Sequence, residues 1–284
     1  PSRVCLTSRR MRILVTNDDG IDSVGLHRLA LAIRHLGEVV VVAPDTEYSG
    51  AGCAVGAINK MQPEVHRVDL EGIDEAWTVN GPPALCVLFA NLGAFGQRFD
   101  LVVSGINPGA NVGRAVYHSG TVGAAITARN GGVSGIAVSQ DAPFGSVEGQ
   151  AWDDMLRGMQ WDTAAHVAAH AVEAFVRKPH REVHCLNINV PNVAVHELRG
   201  WRRTHLATEA GRSSSQINLE PKLGHENAFH VRMDWGQPLD LPGDTDAGAV
   251  QQGLVSVSWL SRILPLDPGV DDHAEQAFEQ LFAV

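Results

Sequence analysis

Two adjacent carboxylates are the first feature of this chain that suggests chemistry. They lie in Val15-Thr16-Asn17-Asp18-Asp19-Gly20-Ile21, directly behind the short apolar run Ile13 to Val15. In an open α/β sheet, ligands bind outside the carboxyl ends of the strands. Like charges side by side repel there, and stripping water from them is costly. A bound Mg2+, Mn2+ or Ca2+ would supply the opposite charge and prefers such oxygen ligands. The competing reading is a solvated loop in which Asp19 starts the turn or caps the next helix.

Two further strand ends and one helix start carry polar residues. The loop after Val39 to Val42 contains Tyr48-Ser49-Gly50, and the Ser49 hydroxyl could ligate a metal or touch a phosphate; turn chemistry alone also explains a serine beside glycine. Leu101 to Val103 runs into Ser104-Gly105-Ile106-Asn107-Pro108-Gly109-Ala110-Asn111, where the Asn107 carbonyl is a neutral ligand suited to a hard cation. His118-Ser119-Gly120-Thr121-Val122 opens a helix, whose free N–H groups and positive dipole end could hold phosphate. Ordinary capping by Ser119 or Thr121 is the alternative there.

Other chemistries fail on spacing. No G-x-G-x-x-G follows the first strand and no Walker lysine loop is present, which disfavours a dinucleotide enzyme and a P-loop NTPase. The aspartates are adjacent rather than spaced Asp-x-Asp, which disfavours an aspartyl-phosphate phosphatase. No serine is flanked as G-x-S-x-G. His166 and His170 stand one helical turn apart without the glutamate of a zincin and read as a helix face, with a zinc site as the minor alternative.

The elements that must position these residues follow from hydrophobic periodicity. Met11 to Val42 reads as strand, loop, helix and strand. Apolar runs at Leu101 to Val103, Gly135 to Val138 and Val183 to Val190 alternate with helical stretches at Pro83 to Leu92, Val122 to Asn130 and Thr163 to Val176. That alternation implies an α/β fold, a mostly parallel sheet with helices on both faces. After Pro191 the texture becomes polar, with strand-like segments at Phe229 to Met233 and Leu254 to Trp259. Asp271 to Val284 carries Ala274, Phe278, Leu281 and Phe282 at helical spacing. The organisation expected is an N-terminal extension over 1–10, a catalytic domain over 11–191, and a C-terminal region over 192–284 whose terminal helix needs a partner for its apolar stripe. The start carries Arg3, Arg9 and Arg10 without an apolar run of its own, so no secretory signal is expected.

With 284 residues, 44% of them hydrophobic, the chain can bury a full core, and no apolar run approaches the ~20 residues of a membrane helix. A formal charge of -10 argues against stable nucleic-acid binding. Cys5, Cys53, Cys86 and Cys185 are scattered with no CxxC, which fits a reducing cytoplasm better than a disulfide scaffold.

Taken in order, Asn17-Asp18-Asp19-Gly20, Ala43-Pro44-Asp45 with Ser49-Gly50, Val103 to Asn111 and His118 to Val122 closely resemble the SurE family of survival-protein 5'-nucleotidases. Gly243-Asp244-Thr245-Asp246 ahead of Gly253-Leu254-Val255-Ser256-Val257 resembles that family's late segment. The resemblance implies a Rossmann-like catalytic domain with a small C-terminal β-rich oligomerisation region and a terminal helix. It implies one divalent ion per subunit, Mg2+ or Mn2+ with Ca2+ as a further candidate, held by Asp18, Asp19, Ser49 and Asn107. It also implies removal of phosphate from nucleoside 5'- and 3'-monophosphates, some members acting on short polyphosphate, by a homodimer or homotetramer. On this reading Asp18, Asp19 and Asn17 are catalytic, and Asn111, Ser119, Gly120 and Thr121 contact phosphate or substrate. Leu85 stands where the family usually shows an aspartate, Leu254 replaces a tyrosine, and Asp141 to Asp162 is longer and more aromatic than usual, as a lid, a stacking surface or buried packing.

Metal-activated water attacking phosphorus in line, with backbone amides near Ser119 to Val122 on the equatorial oxygens, is the expected mechanism. Two rivals stand beside it. A nucleotide sensor would bind tightly without releasing phosphate, and a sugar-nucleotide transferase would turn over UDP-sugars.

Overall fold

A computed structural model describes residues 9–56, 58–142, 156–178, 182–209, 211, 213, 215–263 and 273–282. Most of the 1–10 extension and the centre of the 141–162 segment lie outside them.

Six parallel strands form the centre. β1 (Arg12–Thr16) is followed by α1 (Val24–Ile33), β2 (Glu38–Pro44), the short α2 (Ile58–Met61), β3 (Val65–Leu70), β4 (Ile73–Val79) and α3 (Pro83–Asn91). Next come β5 (Leu101–Pro108), a 3-10 turn (Gly113–Tyr117), α4 (Gly120–Asn130), β6 (Ser134–Gln140), α5 (Trp161–Arg177) and β7 (Cys185–Val190). The nine-stranded sheet has the order β3-β4-β2-β1-β5-β6-β7, then β11 (Val255–Trp259) and β8 (Trp201–Arg203). β3 and β11 run antiparallel to their inner neighbours. The expected α/β architecture is what the chain adopts.

β1, β5 and β7 are buried along their whole length because helices cover both faces. One layer is α1 and α5, packing Leu26, Leu29, Ile33, Ala168 and Val172 against Ile13, Val41 and Ile188. The other is α3 and α4, packing Leu85, Val87, Ala124 and Ala128 against Leu14, Val40 and Val102. Each large aliphatic side chain so enclosed stabilises the fold by about 1.5–3 kcal/mol. Leu85, fully buried in the second layer, is core packing: no Cβ fits at Gly81 without meeting it at 2.7 Å.

The chain builds outward from β1 first through β2 and β4, then in the other direction through β5, β6 and β7. The crevice between the carboxyl ends of β1 and β5 is therefore the switch point of the fold, the place where α/β proteins bind ligands.

The β3–β4 hairpin was not read from the sequence. Val65-His66-Arg67-Val68-Asp69-Leu70 is largely exposed edge strand, so its polarity conceals it, and Gly72 at φ 74 makes the turn. The polar stretch before Asn218 likewise yields β8 and β9 (Ser215–Pro221). β9 pairs antiparallel with β10 (Phe229–Trp235) in a separate two-stranded ribbon. Beyond it lie α6 (Asp246–Gln251) and α7 (His273–Phe282), the latter inside the expected terminal helix.

Candidate active site

The turn after β1 is buried polar backbone and side chain. Asn17 is fully buried and Asp18 is 3% exposed. Asn17 donates through Nδ2 to the Gly20 carbonyl at 3.0 Å, closing a turn in which Gly20 takes φ 96. The Ile21 amide donates to Pro44 O at 2.9 Å and the Tyr48 amide to Asp18 O at 2.7 Å, which docks this turn on the end of β2. Both carboxylate oxygens of the half-buried Asp19 are screened from solvent.

The opposite wall is the first turn of α4. Ser119 is its N-cap, accepting from the Val122 amide at 3.1 Å, so capping is the structural role of that hydroxyl. Thr121, fully buried, donates to Asp18 Oδ1 at 2.5 Å and lies 3.3 Å from Asn107 Oδ1. Gly120 permits this approach, since a Cβ there would lie 2.7 Å from Asp18 Oδ2. Further along, a Cβ on Gly123 would meet Gly52 O at 2.1 Å, so α4 and the loop after β2 touch backbone to backbone.

Asn107 is aimed by β5. The ladder with β6 shifts register between Gly105 and Asn107, and the Asn107 Nδ2 donates to Gly109 O at 2.7 Å, leaving Oδ1 toward Thr121. Asp18, Asn107 and Thr121 thus meet in one place, with Asn17, Asp19 and Gly120 beside them. Ser49 is exposed and donates to Glu47 Oε1 at 2.9 Å. Asn111 is buried in a polar network instead: its amide donates to Asn189 Oδ1 at 2.7 Å, its Nδ2 to Ser139 Oγ at 2.8 Å, and its carbonyl accepts from Asn187 and Asn189.

Burial pushes the Asp18 carboxyl above the ordinary carboxylate range. The Thr121 hydroxyl and the backbone of Asp18, Thr121 and Gly120 pull it back, and none of these groups is a cation. Asn17 Oδ1 is also buried and accepts no hydrogen bond, an arrangement that costs about 1–3 kcal/mol unless something fills it. Among the described residues no three His, Cys, Asp or Glu side chains converge. The available donors are two carboxylates with neutral amide and hydroxyl oxygens, which suits a hard divalent cation.

Sequence reasoning missed the asparagines of β7, although Asn187 and Asn189 alternate with Leu186, Ile188 and Val190 and so share one face. It also gave Asp246 no role beyond a motif. That fully buried carboxylate accepts from Gly113 N at 2.7 Å and from Ala207 N and Ala247 N, both at 2.9 Å.

Comparison with known proteins places the chain beside one family. The family model "Survival protein SurE" matches residues 13–213. The chain is 35% identical over 251 residues to the 5'/3'-nucleotidase SurE of Erwinia tasmaniensis, covering 88% of this chain and 90% of that protein. It is 34% identical over 265 residues to the 5'-nucleotidase SurE of Rhodopirellula baltica, covering 88% and 92%. The crystal structure of the SurE protein from Aquifex aeolicus superimposes with a TM-score of 0.71 at 28% identity, over 95% of this chain and 99% of that one.

Proposed function

The chain belongs to the SurE family and is a nucleotidase of 5'-nucleotidase type, and from that premise we propose a divalent-metal-dependent hydrolysis of nucleoside 5'- and 3'-monophosphates to nucleoside and phosphate. The observation that carries the metal is Asp18, a desolvated carboxylate among neutral hydrogen-bond partners at the switch point. Asp18, Asp19 and Asn107 would hold one Mg2+ or Mn2+, and Ser49 would join them by turning away from Glu47. When bound, such an ion screens phosphate charge and lowers the pKa of a coordinated water.

The remaining roles belong to the chain. Thr121 orients the Asp18 carboxylate through its hydroxyl hydrogen bond. Asn17, with its open Oδ1, orients the attacking water and accepts a hydrogen bond from it. Ser119, Gly120 and Thr121 place the phosphoryl group at the positive end of α4. Asn111, clamped by β7, fixes the loop that carries Asn107.

Oligomerisation fits the C-terminal region. On one face of the β9–β10 ribbon Leu219 pairs with Val231 and Ile217 with Met233, and all four are exposed. Phe278, Leu281 and Phe282 of α7 are exposed as well. Apolar patches of this kind mark contacts with another chain, and a homodimer or homotetramer would cover them. Among the described residues no helix is long and apolar enough to cross a membrane. The buried thiols of Cys86 and Cys185 are free, which supports a reducing compartment such as the cytoplasm.

Phosphate release from a panel of nucleoside 5'- and 3'-monophosphates, polyphosphate and an aryl phosphate, with EDTA and with added Mg2+ or Mn2+, tests the proposal. Metal-restored release favouring nucleoside monophosphates supports it. Release that survives full chelation removes the metal, and binding without release from folded protein favours a sensor.

A further inference from the structure

The outward side of α5 carries chemistry that the nucleotidase site does not use. A groove of about 520 Å3 separates α1 from α5, lined by Arg28 and His35 on one wall and His166, His170 and Glu173 on the other, and it shares no residue with the crevice at Asp18. We infer that His166 and His170 form a two-imidazole site for a d-block divalent cation such as Cu2+, Zn2+ or Ni2+, separate from the oxygen-donor site and independent of the function proposed above.

Helix geometry places the side chains of residues four apart on one face. Here the two rings lie 4.4 Å apart, centroid to centroid. His170 Nδ1 lies 2.9 Å from the His166 carbonyl oxygen. A carbonyl only accepts, so Nδ1 carries the proton and Nε2 of the neutral ring carries the lone pair. A backbone acceptor on the far ring nitrogen is the arrangement that fixes metal-binding histidines elsewhere.

Packing gives no other reason for imidazoles at these positions. Ala164, Ala165, Ala168, Val172 and Phe175 are the buried face of α5, whereas His166 and His170 are exposed. Glu173 is already bound to Arg177 at 2.6 Å. The protein therefore contributes two nitrogen ligands, and water completes the coordination shell. Imidazole nitrogens favour copper, nickel and zinc, whereas magnesium takes oxygen ligands. The same cell could thus load the two sites with different ions.

The experiment is Cu2+ binding to the EDTA-treated, desalted full chain, followed by titration and by electron paramagnetic resonance, alongside His166→Gln and His170→Gln. Beyond any Cu2+ taken up by the emptied oxygen-donor site, the parent is expected to bind one Cu2+ equivalent whose hyperfine pattern shows coupling to two imidazole nitrogens. Each variant is expected to lose that coupling and to bind more than about 10-fold more weakly, the loss that removing even an outer partner of a metal ligand produces. Mg2+-supported phosphate release should be unchanged in both. Parent affinity retained by either variant, or a parent spectrum without coupling to two nitrogens, overturns the site.

Discussion

The hydroxyl of Thr121 donates to Oδ1 of Asp18 at 2.5 Å, tying the first turn of α4 to the end of β1 across the switch point of the sheet. The Thr121 hydroxyl oxygen also lies 3.3 Å from Asn107 Oδ1, so one side chain links the three elements on which the site stands.

Removing that hydroxyl should cost catalysis before it costs the fold. Thr121→Val is expected to lower kcat/KM by roughly 10-fold, about 1.4 kcal/mol of transition-state stabilisation, whereas Thr121→Ser should stay near the parent. Asp18→Asn and Asp19→Asn should fall by about 100-fold or more. Steady-state kinetics with thermal melts decides: near-normal turnover in Asp19→Asn would remove its metal role.

Asp246 should behave differently. Its two oxygens accept from Gly113, Ala207 and Ala247, so Asp246→Asn would set an amide N–H against a backbone N–H. A stability loss of about 1–3 kcal/mol is expected from the acceptor left missing. Urea unfolding measures it, and an unchanged midpoint would show that the 3-10 turn does not depend on this anchor.

These two predictions differ in how far the sequence announced them. Asp18, Asp19, Asn107 and the α4 turn were legible because apolar runs place them at strand ends, where parallel sheets bind ligands. The 2.5 Å contact of Thr121 was not, because it depends on Gly120 admitting Asp18 and on the register shift in β5, neither of which leaves a periodic signal. Asp246 accepts from the Gly113 amide, 133 positions away in sequence, a relationship that spacing cannot encode. β3 was hidden for the opposite reason, since an exposed edge strand carries its apolar residues sparsely.

Acidity should affect stability through Asp141. Burial pushes its carboxyl up to about 6, against the backbone of Ala142, from an ordinary value of 3.8. The folded protein therefore holds the proton more tightly than the unfolded chain. The resulting stability is fully present below the unfolded value and is lost as pH rises through about 6. A shift of this size corresponds to roughly 3 kcal/mol as an upper bound. Asp141→Asn should flatten the curve of unfolding free energy between those limits and raise stability at neutral pH; an unaltered slope would assign the pH dependence to other groups.

The ribbon face should govern assembly. Leu219→Lys with Val231→Lys places two charges on adjacent exposed positions of one face, and sedimentation should then show a smaller particle with its secondary structure intact. An unchanged sedimentation coefficient would move the subunit contact elsewhere, with α7 the next surface to alter.

The position of β11 has a consequence for how the molecule is made. β7 is buried along its length, yet its outer neighbour in the sheet begins only at Val255, and the ribbon of β9 and β10 emerges from the ribosome between them. Until that late strand arrives, β7 presents a full row of unpaired amides and carbonyls, the kind of edge that recruits strands from other chains. Closing the sheet requires a contact that spans some seventy residues, which favours slow completion after early formation of the β1–β5 centre. A nascent chain stalled ahead of Val255 would thus carry an assembled phosphate crevice and an adhesive flank at once, and its hazard to the cell would be self-association rather than loss of the site.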